Sequence, residues 1–192
     1  MRVIAGEARG VPLITPKGTK TRPTSDRTKE SLFNILGVAV KGSMFLDLFS
    51  GCGGVGIEAI SRGALLCVFV DNSKAAIAAI NANLSKTKLG DRAEVLETSV
   101  AIAINKLTTS SRNFDIIFLD PPYDGGYVKE TLDILAKSDI LSSGGSIIVE
   151  TNSQLHNNTL GEAFELTDER QYGQTRFLFL QYKNRQTNCD GV

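Results

Sequence analysis

Four consecutive residues, Asp120-Pro121-Pro122-Tyr123, combine the groups needed to bind the exocyclic amine of a nucleobase. The two prolines fix the backbone and remove two N–H donors, so carbonyl oxygens are left to accept hydrogen bonds. Together with the Asp120 carboxylate, these oxygens can hold both hydrogens of an amine whose lone pair is delocalised into the base. Tyr123 can stack on the base and orient it. We therefore predict that these four residues catalyse group transfer to an amine, through proximity and fixed dipoles.

A glycine-rich stretch, Asp47–Glu58, follows one predicted strand and opens a predicted helix. Gly51, Gly53 and Gly56 match the pattern Gly-x-Gly-x-x-Gly, which lets a backbone turn tightly, approach a ligand and pack a helix against a strand. Asp71, at the end of the next predicted strand, lies 20 residues after Gly51. An acid at this position can accept hydrogen bonds from both ribose hydroxyls of a nucleoside cofactor. The alternative role for Asp71 is the N-terminal cap of the following helix, and both roles can hold together.

The carboxylate of Asp47 indicates which nucleoside cofactor fits. At the end of a strand beside the glycine turn, it would repel a pyrophosphate and attract a cationic ligand. S-adenosylmethionine carries a sulfonium and an ammonium but no phosphate, and the glycine amides would bind its carboxylate. The alternative role for Asp47 is capping of the turn. The predicted cofactor site comprises Asp47, Phe49, Ser50, Gly51, Gly53, Gly56, Asp71, Asn72, Ser99 and Val100.

The composition is typical of one soluble globular domain: 192 residues, of which 42% are hydrophobic and 22% charged. Lys plus Arg and Asp plus Glu both number 21, and this zero net charge excludes a uniformly basic coat for nucleic acid but not a local basic patch. The three cysteines lack Cys-x-x-Cys spacing, so we expect neither a disulfide framework nor a metal site. We expect no signal peptide and no transmembrane span, and reduced thiols favour a cytoplasmic protein.

Apolar segments of strand length alternate with helix-length segments, which predicts a mostly parallel sheet covered by helices on both faces. The predicted strands are Met44–Phe49, Leu65–Val70, Ala93–Leu96, Ile116–Leu119 and Ser146–Val149. The predicted helices are Val55–Arg62, Lys74–Leu84, Val100–Leu107 and Tyr127–Ala136, preceded by a helix that Thr24 to Asp26 can cap and that runs to about Leu36. Glu165–Arg170 and Arg176–Tyr182 surround Gly173 with no helix between them, which predicts a terminal antiparallel hairpin.

The first 30 residues concentrate positive charge, with seven basic side chains against three acidic ones. Glycines and prolines favour turns over a long helix in this region. Val3–Ala5 and Val11–Ile14 are predicted as two short strands of a basic hairpin that lies outside the main core. The alternative is a mobile, solvated arm.

Together, these motifs resemble those of Rossmann-like methyltransferases that act on amino groups. Two further blocks, Arg2–Gly6 with Arg9-Gly10 and Arg22–Arg27 with Leu32-Phe33-Asn34, make the chain similar to the RsmD family of bacterial 16S ribosomal RNA guanine-N2 methyltransferases. The resemblance implies an S-adenosylmethionine-dependent enzyme with a seven-stranded sheet whose last strand is antiparallel. It also implies a target guanine in 16S ribosomal RNA of an assembling small subunit.

The resemblance assigns RNA binding to the N-terminal region. The candidate RNA contacts are Arg2, Arg9, Lys17, Lys20, Arg22, Thr24 and Arg27. We therefore divide the chain into a basic RNA-binding hairpin (1–23), a Rossmann-like methyltransferase domain (24–183) and a frayed tail (184–192).

Three points stay open in the sequence. Asp-Pro-Pro-Tyr serves several amines, so a DNA adenine-N6 or another RNA amino-methyltransferase is the main alternative. An NAD-dependent oxidoreductase is disfavoured because the only histidine, His156, lies in a polar stretch, and a non-catalytic RNA-binding module is disfavoured because the motifs are intact. Many members of the wider methyltransferase class place Asp or Asn after the third strand to bind the adenine amine, whereas here Ser99, or the backbone of Ser99 and Val100, would bind it.

Overall fold

The alternating apolar and amphipathic segments fold into one seven-stranded sheet flanked by helices. The structure, a computed structural model, describes residues 1–15, 26–122, 126–152 and 160–183. The strands are β1 (Met44–Leu48), β2 (Leu66–Asp71), β3 (Ala93–Glu97), β4 (Phe114–Leu119), β5 (Leu141–Thr151), β6 (Phe164–Tyr172) and β7 (Thr175–Tyr182). The helices are α1 (Asp26–Leu36), α2 (Gly54–Ser61), α3 (Lys74–Thr87), α4 (Val100–Thr109) and α5 (Tyr127–Ala136).

The strand order in the sheet is β3-β2-β1-β4-β5-β7-β6. Strands β1 to β5 pair in parallel, and β7 pairs antiparallel with both β5 and β6. This arrangement confirms the predicted Rossmann-like sheet with an antiparallel C-terminal hairpin. The chain runs outward from β1 to β3 and then crosses back to β4, so β1 and β4 flank the point where the strand order reverses. Ligands bind outside the carboxyl ends of the strands at such a point.

Apolar side chains from the central strands fill both faces of the sheet. Phe45, Phe69 and Phe118 pack on the face covered by α1, α2 and α3. Leu46 and Val70 pack on the face covered by α4 and α5. Burial on both faces explains why these strands are continuous apolar runs rather than alternating ones.

Strand β5 is longer than the sequence predicts, because it begins at Leu141 rather than Ser146. Its pairing with β4 shifts between the partners Phe114–Leu141 and Ile116–Ser146. The serines and glycines at this shift interrupt the apolar pattern, so the sequence gives no strand signal there. Helix α3 likewise extends to Thr87, beyond the predicted end at Leu84.

Two expectations for the N-terminal segment, which we define as residues 1–15, are wrong. This segment forms one isolated antiparallel bridge, between Arg2 and Pro12, instead of two strands. It also does not lie outside the core, since Val3, Ala8 and Leu13 are buried in the cluster that packs against α1, α2 and α3. The physical reason is that polar groups of α2 bind the backbone of the segment, an interaction that no local pattern reveals. The proposed division of the chain into 1–23, 24–183 and 184–192 stays a prediction.

Candidate active site

Three aspartates come together at the carboxyl edge of the sheet. Asp47 lies in β1, Asp71 ends β2, and Asp120 directly follows β4. Strand β1 pairs with both β2 and β4, so Asp47 occupies the middle position. The negative charges of Asp71 and Asp120 both act on the Asp47 carboxyl. Three carboxyl groups therefore lie together at the point where the strand order reverses.

Asp47 is buried, and its Oδ2 accepts a 3.0 Å hydrogen bond from the Gly56 N–H. This bond spans the turn between β1 and α2, where Gly53 is the N-cap residue, and it agrees with the alternative role of Asp47, which is capping of the turn. Burial raises the pKa of Asp47 to about 8, and the charges of Asp120 and Asp71 act in the same direction. The Gly56 N–H opposes this shift. A cation placed beside this carboxyl would stabilise its ionised form.

Asp120 is held at the end of β4, where its N–H donates a 3.4 Å hydrogen bond to the Leu48 carbonyl. Burial raises the pKa of Asp120 to about 7. Pro121 is buried and Pro122 is exposed, so the motif runs from the sheet edge toward solvent. Tyr123 lies outside the described residues, and its predicted stacking role stays a prediction.

The first turn after β1 has an unusual backbone. Phe49 has a φ of 61°, a left-handed conformation that non-glycine residues seldom adopt and that clusters at functional sites. The hydroxyl of the next residue, Ser50, accepts from the Val70 N–H at 2.9 Å and lies 2.6 Å from the Asp47 carbonyl oxygen. Through these contacts Ser50 joins the ends of β1 and β2, while its contact with the cofactor stays a prediction.

Gly56 allows α2 to pack directly on β2. A Cβ atom at this position would lie 2.3 Å from Cε1 of Phe69 and 2.6 Å from Sγ of Cys67, so no side chain fits. Gly53 has a φ of 76° and is the N-cap residue of α2. These two glycines fulfil the packing and turning roles that the Gly-x-Gly-x-x-Gly pattern predicts.

Asp71 binds the glycine loop as well as its own turn. Its Oδ2 accepts from the Gly51 N–H at 2.9 Å, and its Oδ1 accepts from the Ser73 N–H at 2.9 Å. The alternative interpretation, that Asp71 caps α3, is wrong, because Ser73 is the N-cap residue and accepts from the Ala76 N–H at 3.4 Å. The expectation that the glycine amides bind a ligand carboxylate fails for Gly51, whose N–H is donated to Asp71.

A pocket opens beside Asp71, between the ends of β2 and β3 and the first turns of α4 and α5. Five predicted cofactor residues line it, namely Phe49, Asp71, Asn72, Ser99 and Val100. The other predicted cofactor residues, Asp47, Ser50, Gly51, Gly53 and Gly56, do not line this pocket but build and hold the turn beside it.

Six further residues line the pocket and are not predicted from the sequence: Thr98, Ala101, Tyr127, Glu130, Thr131 and Ile134. Four of them belong to α5, whose position over the pocket depends on tertiary packing. Tyr127 makes an edge-on contact with Phe49, with ring centroids 6.0 Å apart and an interplanar angle of 61°. An aromatic residue soon after the Asp-Pro-Pro-Tyr motif is the only sequence signal for this wall of the pocket.

Ser99 caps α4, because its Oγ accepts from the Ile102 N–H at 3.4 Å. Its side chain therefore has a structural partner within the helix. Ser99 and Val100 both line the pocket, as do their neighbours Thr98 and Ala101. The assignment of the adenine amine contact to Ser99 or Val100 stays a prediction.

The structure describes three of the predicted RNA-binding residues, Arg2, Arg9 and Arg27, and all three are exposed. Nε of Arg2 lies 3.5 Å from Oδ2 of Asp26, at the start of α1. The remaining four, Lys17, Lys20, Arg22 and Thr24, lie outside the described residues. Within the described ranges, no group of three or more His, Cys, Asp or Glu residues could hold a metal ion, and no helix is long and apolar enough to cross a membrane.

The strand order, the glycine turn at the switch point and the acid that ends β2 define a Rossmann-like class I methyltransferase fold. Residues 1–181 match the family described as "Conserved hypothetical protein 95". The chain belongs to this family, the RsmD family of ribosomal RNA methyltransferases.

Two relatives illustrate the family relationship. A Bacillus subtilis protein named "Putative rRNA methyltransferase YlbH" is 38% identical over 176 residues, which cover 91% of this chain and 95% of that protein. The Escherichia coli K12 protein "Ribosomal RNA small subunit methyltransferase D" is 30% identical over 181 residues, covering 94% of this chain and 89% of that protein.

Solved structures agree with the fold. The Escherichia coli structure "Putative methyltransferase yhhF" superposes with a TM-score of 0.82 at 31% identity and covers 95% of this chain and 98% of that chain. A more distant match is "T. Thermophilus 16S rRNA N2 G1207 methyltransferase (RsmC) in complex with AdoMet and Guanosine". It has a TM-score of 0.67 at 24% identity, covers 87% of this chain and 45% of that chain, and shows the shared fold.

Proposed function

We propose that the protein is an S-adenosylmethionine-dependent enzyme that methylates the exocyclic N2 amine of a guanine in 16S ribosomal RNA. The observation that carries this proposal is the position of Asp120-Pro121-Pro122. The motif directly follows β4, beside the carboxyl end of β1. The negative charge of Asp120 raises the pKa of Asp47. It lies in a chain of a family whose named members include small-subunit ribosomal RNA methyltransferases.

The buried carboxyl groups of Asp47 and Asp120 fit S-adenosylmethionine better than a dinucleotide. Burial and mutual repulsion raise the pKa of Asp47 to about 8, and burial raises that of Asp120 to about 7. A pyrophosphate would add negative charge where two carboxyls already resist ionisation, whereas a cationic ligand relieves that cost. When bound, S-adenosylmethionine supplies a methyl group on a positively charged sulfonium.

The residues of the pocket have complementary tasks in holding this cofactor. The Asp71 carboxylate would accept hydrogen bonds from ribose hydroxyls, since each of its oxygens keeps a free lone pair beside its backbone partner. Phe49 and Tyr127 would provide apolar and aromatic walls for the adenine. Asp47 would attract the ammonium group, directly or through water, while it keeps its bond to the Gly56 N–H.

The catalytic contribution of Asp120 is to orient the target amine. In its ionised form the carboxylate accepts a hydrogen bond from the amine, and the carbonyl oxygens of the proline-containing turn accept the second hydrogen. This arrangement would turn the nitrogen lone pair toward the methyl group, so that an N–C bond forms as the S–C bond breaks and the sulfur leaves as a neutral thioether. The amine proton would pass to the Asp120 carboxylate or to water. The acceleration comes from proximity and orientation, so no strong base is needed. Tyr123 completes this part of the proposal as the stacking residue.

RNA binding is proposed for the basic N-terminal region. Arg2, Arg9 and Arg27 are exposed and available to phosphates, and we assign the same role to Lys17, Lys20, Arg22 and Thr24. In a chain with a net charge of zero, the first 30 residues carry seven basic side chains against three acidic ones, which gives this region a local excess of positive charge. We propose the assembling small ribosomal subunit in the cytoplasm as the substrate particle.

A gene deletion tests this function in the native host. We expect 16S ribosomal RNA from the deletion strain to lack one N2-methylguanosine that wild-type RNA contains, as measured by nuclease digestion and mass spectrometry. A plasmid encoding the wild-type protein or the control Asp91→Ala, an exposed aspartate, should restore it, whereas Asp120→Ala should not. An unchanged set of N2-methylguanosines in the deletion strain would contradict the proposal.

A further inference from the structure

A buried asparagine joins the N-terminal segment to the glycine loop. Nδ2 of Asn83, in α3, donates to the carbonyl oxygens of Ile14 and Cys52, both at 2.9 Å. Oδ1 of Asn83 accepts from the Ile14 N–H at 2.7 Å. The side chain is fully buried, so water cannot readily replace these bonds. One amide group thus holds a backbone unit of the segment and a carbonyl of the loop at the same time.

A buried lysine repeats this arrangement on the other side of the loop. Nζ of Lys29, in α1, donates to the Arg2 carbonyl oxygen at 2.7 Å and to the Gly54 carbonyl oxygen at 3.5 Å. It also lies 3.1 Å from Oε2 of Glu58, and both charged side chains have no exposed surface. Lys29 therefore holds one carbonyl of the N-terminal segment and one carbonyl at the start of α2.

The backbone of the segment also rests on α2, the helix that the glycine loop opens. Glu58 accepts from the Ile4 N–H at 2.8 Å and from the Ala5 N–H at 3.0 Å. Next to the loop, Sδ of Met1 lies 3.7 Å from Sγ of Cys52. A Cβ atom at Gly54 would lie 2.4 Å from the Met1 Sδ. The contact between the segment and the loop is therefore close-packed as well as hydrogen-bonded.

This arrangement means that the loop and the segment cannot move independently. A displacement of the carbonyls of Cys52 and Gly54 would stretch bonds whose donors also hold the carbonyls of Ile14 and Arg2. Where two sites are energetically coupled, chains of packed side chains and hydrogen-bond networks with two arrangements carry the coupling.

We propose that Asn83 and Lys29 are positioning residues that couple cofactor binding in the pocket beside the glycine loop to RNA binding by the N-terminal segment, so that each ligand tightens binding of the other. The Gly51 N–H joins this loop to Asp71, which lines the pocket. The coupling rests on the proposed function, in which exposed basic residues of this segment, including Arg2 and Arg9, contact RNA. Reciprocity between the two ligands is a thermodynamic requirement of such coupling.

The test measures a coupling factor, defined as the Kd of S-adenosylhomocysteine without small ribosomal subunits divided by its Kd with saturating subunits. The subunits come from the deletion strain, and bound labelled S-adenosylhomocysteine is measured by equilibrium dialysis. We expect a factor of about 5 to 50 for the wild-type protein, within the usual range of coupling between two sites. In Asn83→Ala the factor should fall to within about twofold of 1. A merely structural asparagine would weaken both binding steps and leave this ratio unchanged.

Asn81→Ala is the matched control, because it makes the same change at an exposed position of the same helix. It should keep the wild-type coupling factor. Hydrogen exchange of the wild-type protein provides a second measurement that does not depend on the variant folding. S-adenosylhomocysteine should slow exchange of the Ile14 amide at least about threefold, through its bond to Asn83.

The outcomes separate this proposal from the proposed function. If the wild-type protein binds and methylates subunits with a coupling factor of 1, or Asn83→Ala keeps the wild-type factor, the coupling is overturned and the function stands. Unchanged exchange at Ile14 would overturn it as well. If the protein neither binds nor methylates subunits, the proposed function fails, and the coupling fails with it.

Discussion

The Gly51 amide donates a 2.9 Å hydrogen bond to the Asp71 carboxylate, which ties the glycine loop to the acid at the end of β2. The same carboxylate holds the Ser73 N–H, at the start of the turn into α3. Asp71 thus shapes the turn beside the pocket before any ligand arrives. A substitution of Asp71 should therefore disturb this turn as well as the proposed ribose contact.

Replacing Asp71 with alanine should weaken binding of S-adenosylhomocysteine by about 1.5–3 kcal/mol, the scale for lost hydrogen bonds to a charged group. The variant loses the proposed ribose contact and frees the Gly51 amide. Titration calorimetry measures the change, with Asp91→Ala as the control because that aspartate is exposed and outside the pocket. An unchanged dissociation constant would remove Asp71 from the cofactor site.

Affinity for S-adenosylmethionine should increase with pH between 6 and 8. Without ligand, Asp47 and Asp120 have pKa values raised to about 8 and about 7, so both bind protons in this range. A cationic ligand favours the ionised carboxylates, and binding therefore releases protons, with a change in affinity of about tenfold for each proton and pH unit. Calorimetry in buffers of different ionisation enthalpy counts the protons.

Asp47→Asn should flatten this pH dependence, since one of the two titrating groups is gone. An asparagine oxygen can still accept a hydrogen bond from the Gly56 N–H, so the bond to the first turn of α2 is kept. Equal proton release by the variant and the wild-type protein would show that Asp47 does not respond to the ligand.

The free energy of unfolding of the ligand-free protein should fall as the pH rises from 6 to 9. Because the folded-state pKa of Asp47 lies above the ordinary pKa of 3.8 that the unfolded chain has, the folded protein binds more protons than the unfolded chain between these two values. Stability is therefore lost as the pH rises through the folded-state pKa. Urea unfolding at both pH values should show a smaller loss for Asp47→Asn, by on the order of 1–3 kcal/mol. Parallel losses in both proteins would contradict the assignment.

Gly56→Ala should destabilise the protein by about 1–3 kcal/mol, the usual scale for an overpacked core. Its Cβ would lie 2.3 Å from the Phe69 ring, between α2 and β2. Gly90→Ala is the matched control, since a Cβ there meets nothing within 4 Å. Chemical unfolding of both variants measures the difference. Equal free energies of unfolding would show that the packing of α2 does not require glycine at position 56.

Local signals were enough to predict the central sheet and its acids. The apolar runs of β1, β2 and β4 end next to Asp47, Asp71 and Asp120, and parallel strands bring such ends to one edge. The sequence could not show which backbone partner each acid takes. The bond between Gly51 and Asp71, for example, depends on the pairing of two strands and the path of a turn.

Long-range packing accounts for the main errors. The N-terminal segment looked like an exposed basic hairpin because its glycines, prolines and charges dominate the local pattern. Its docking depends on Glu58, which binds the N–H groups of Ile4 and Ala5 across a separation of more than 50 residues. The same reason applies to the wall of the pocket formed by α5, because the helix pattern predicts an apolar face but not the element against which this face packs.

The central claim is that the Asp120 site transfers a methyl group to N2 of a guanine in the small-subunit RNA. The most direct measurement uses methyl-labelled S-adenosylmethionine, the purified protein and small subunits from the deletion strain, with free ribosomal RNA and genomic DNA in parallel. Labelled N2-methylguanosine in the 16S RNA, lost in Asp120→Ala while S-adenosylhomocysteine still binds, is the predicted result. Label in N6-methyladenine of DNA, or near wild-type turnover by Asp120→Ala, would contradict it.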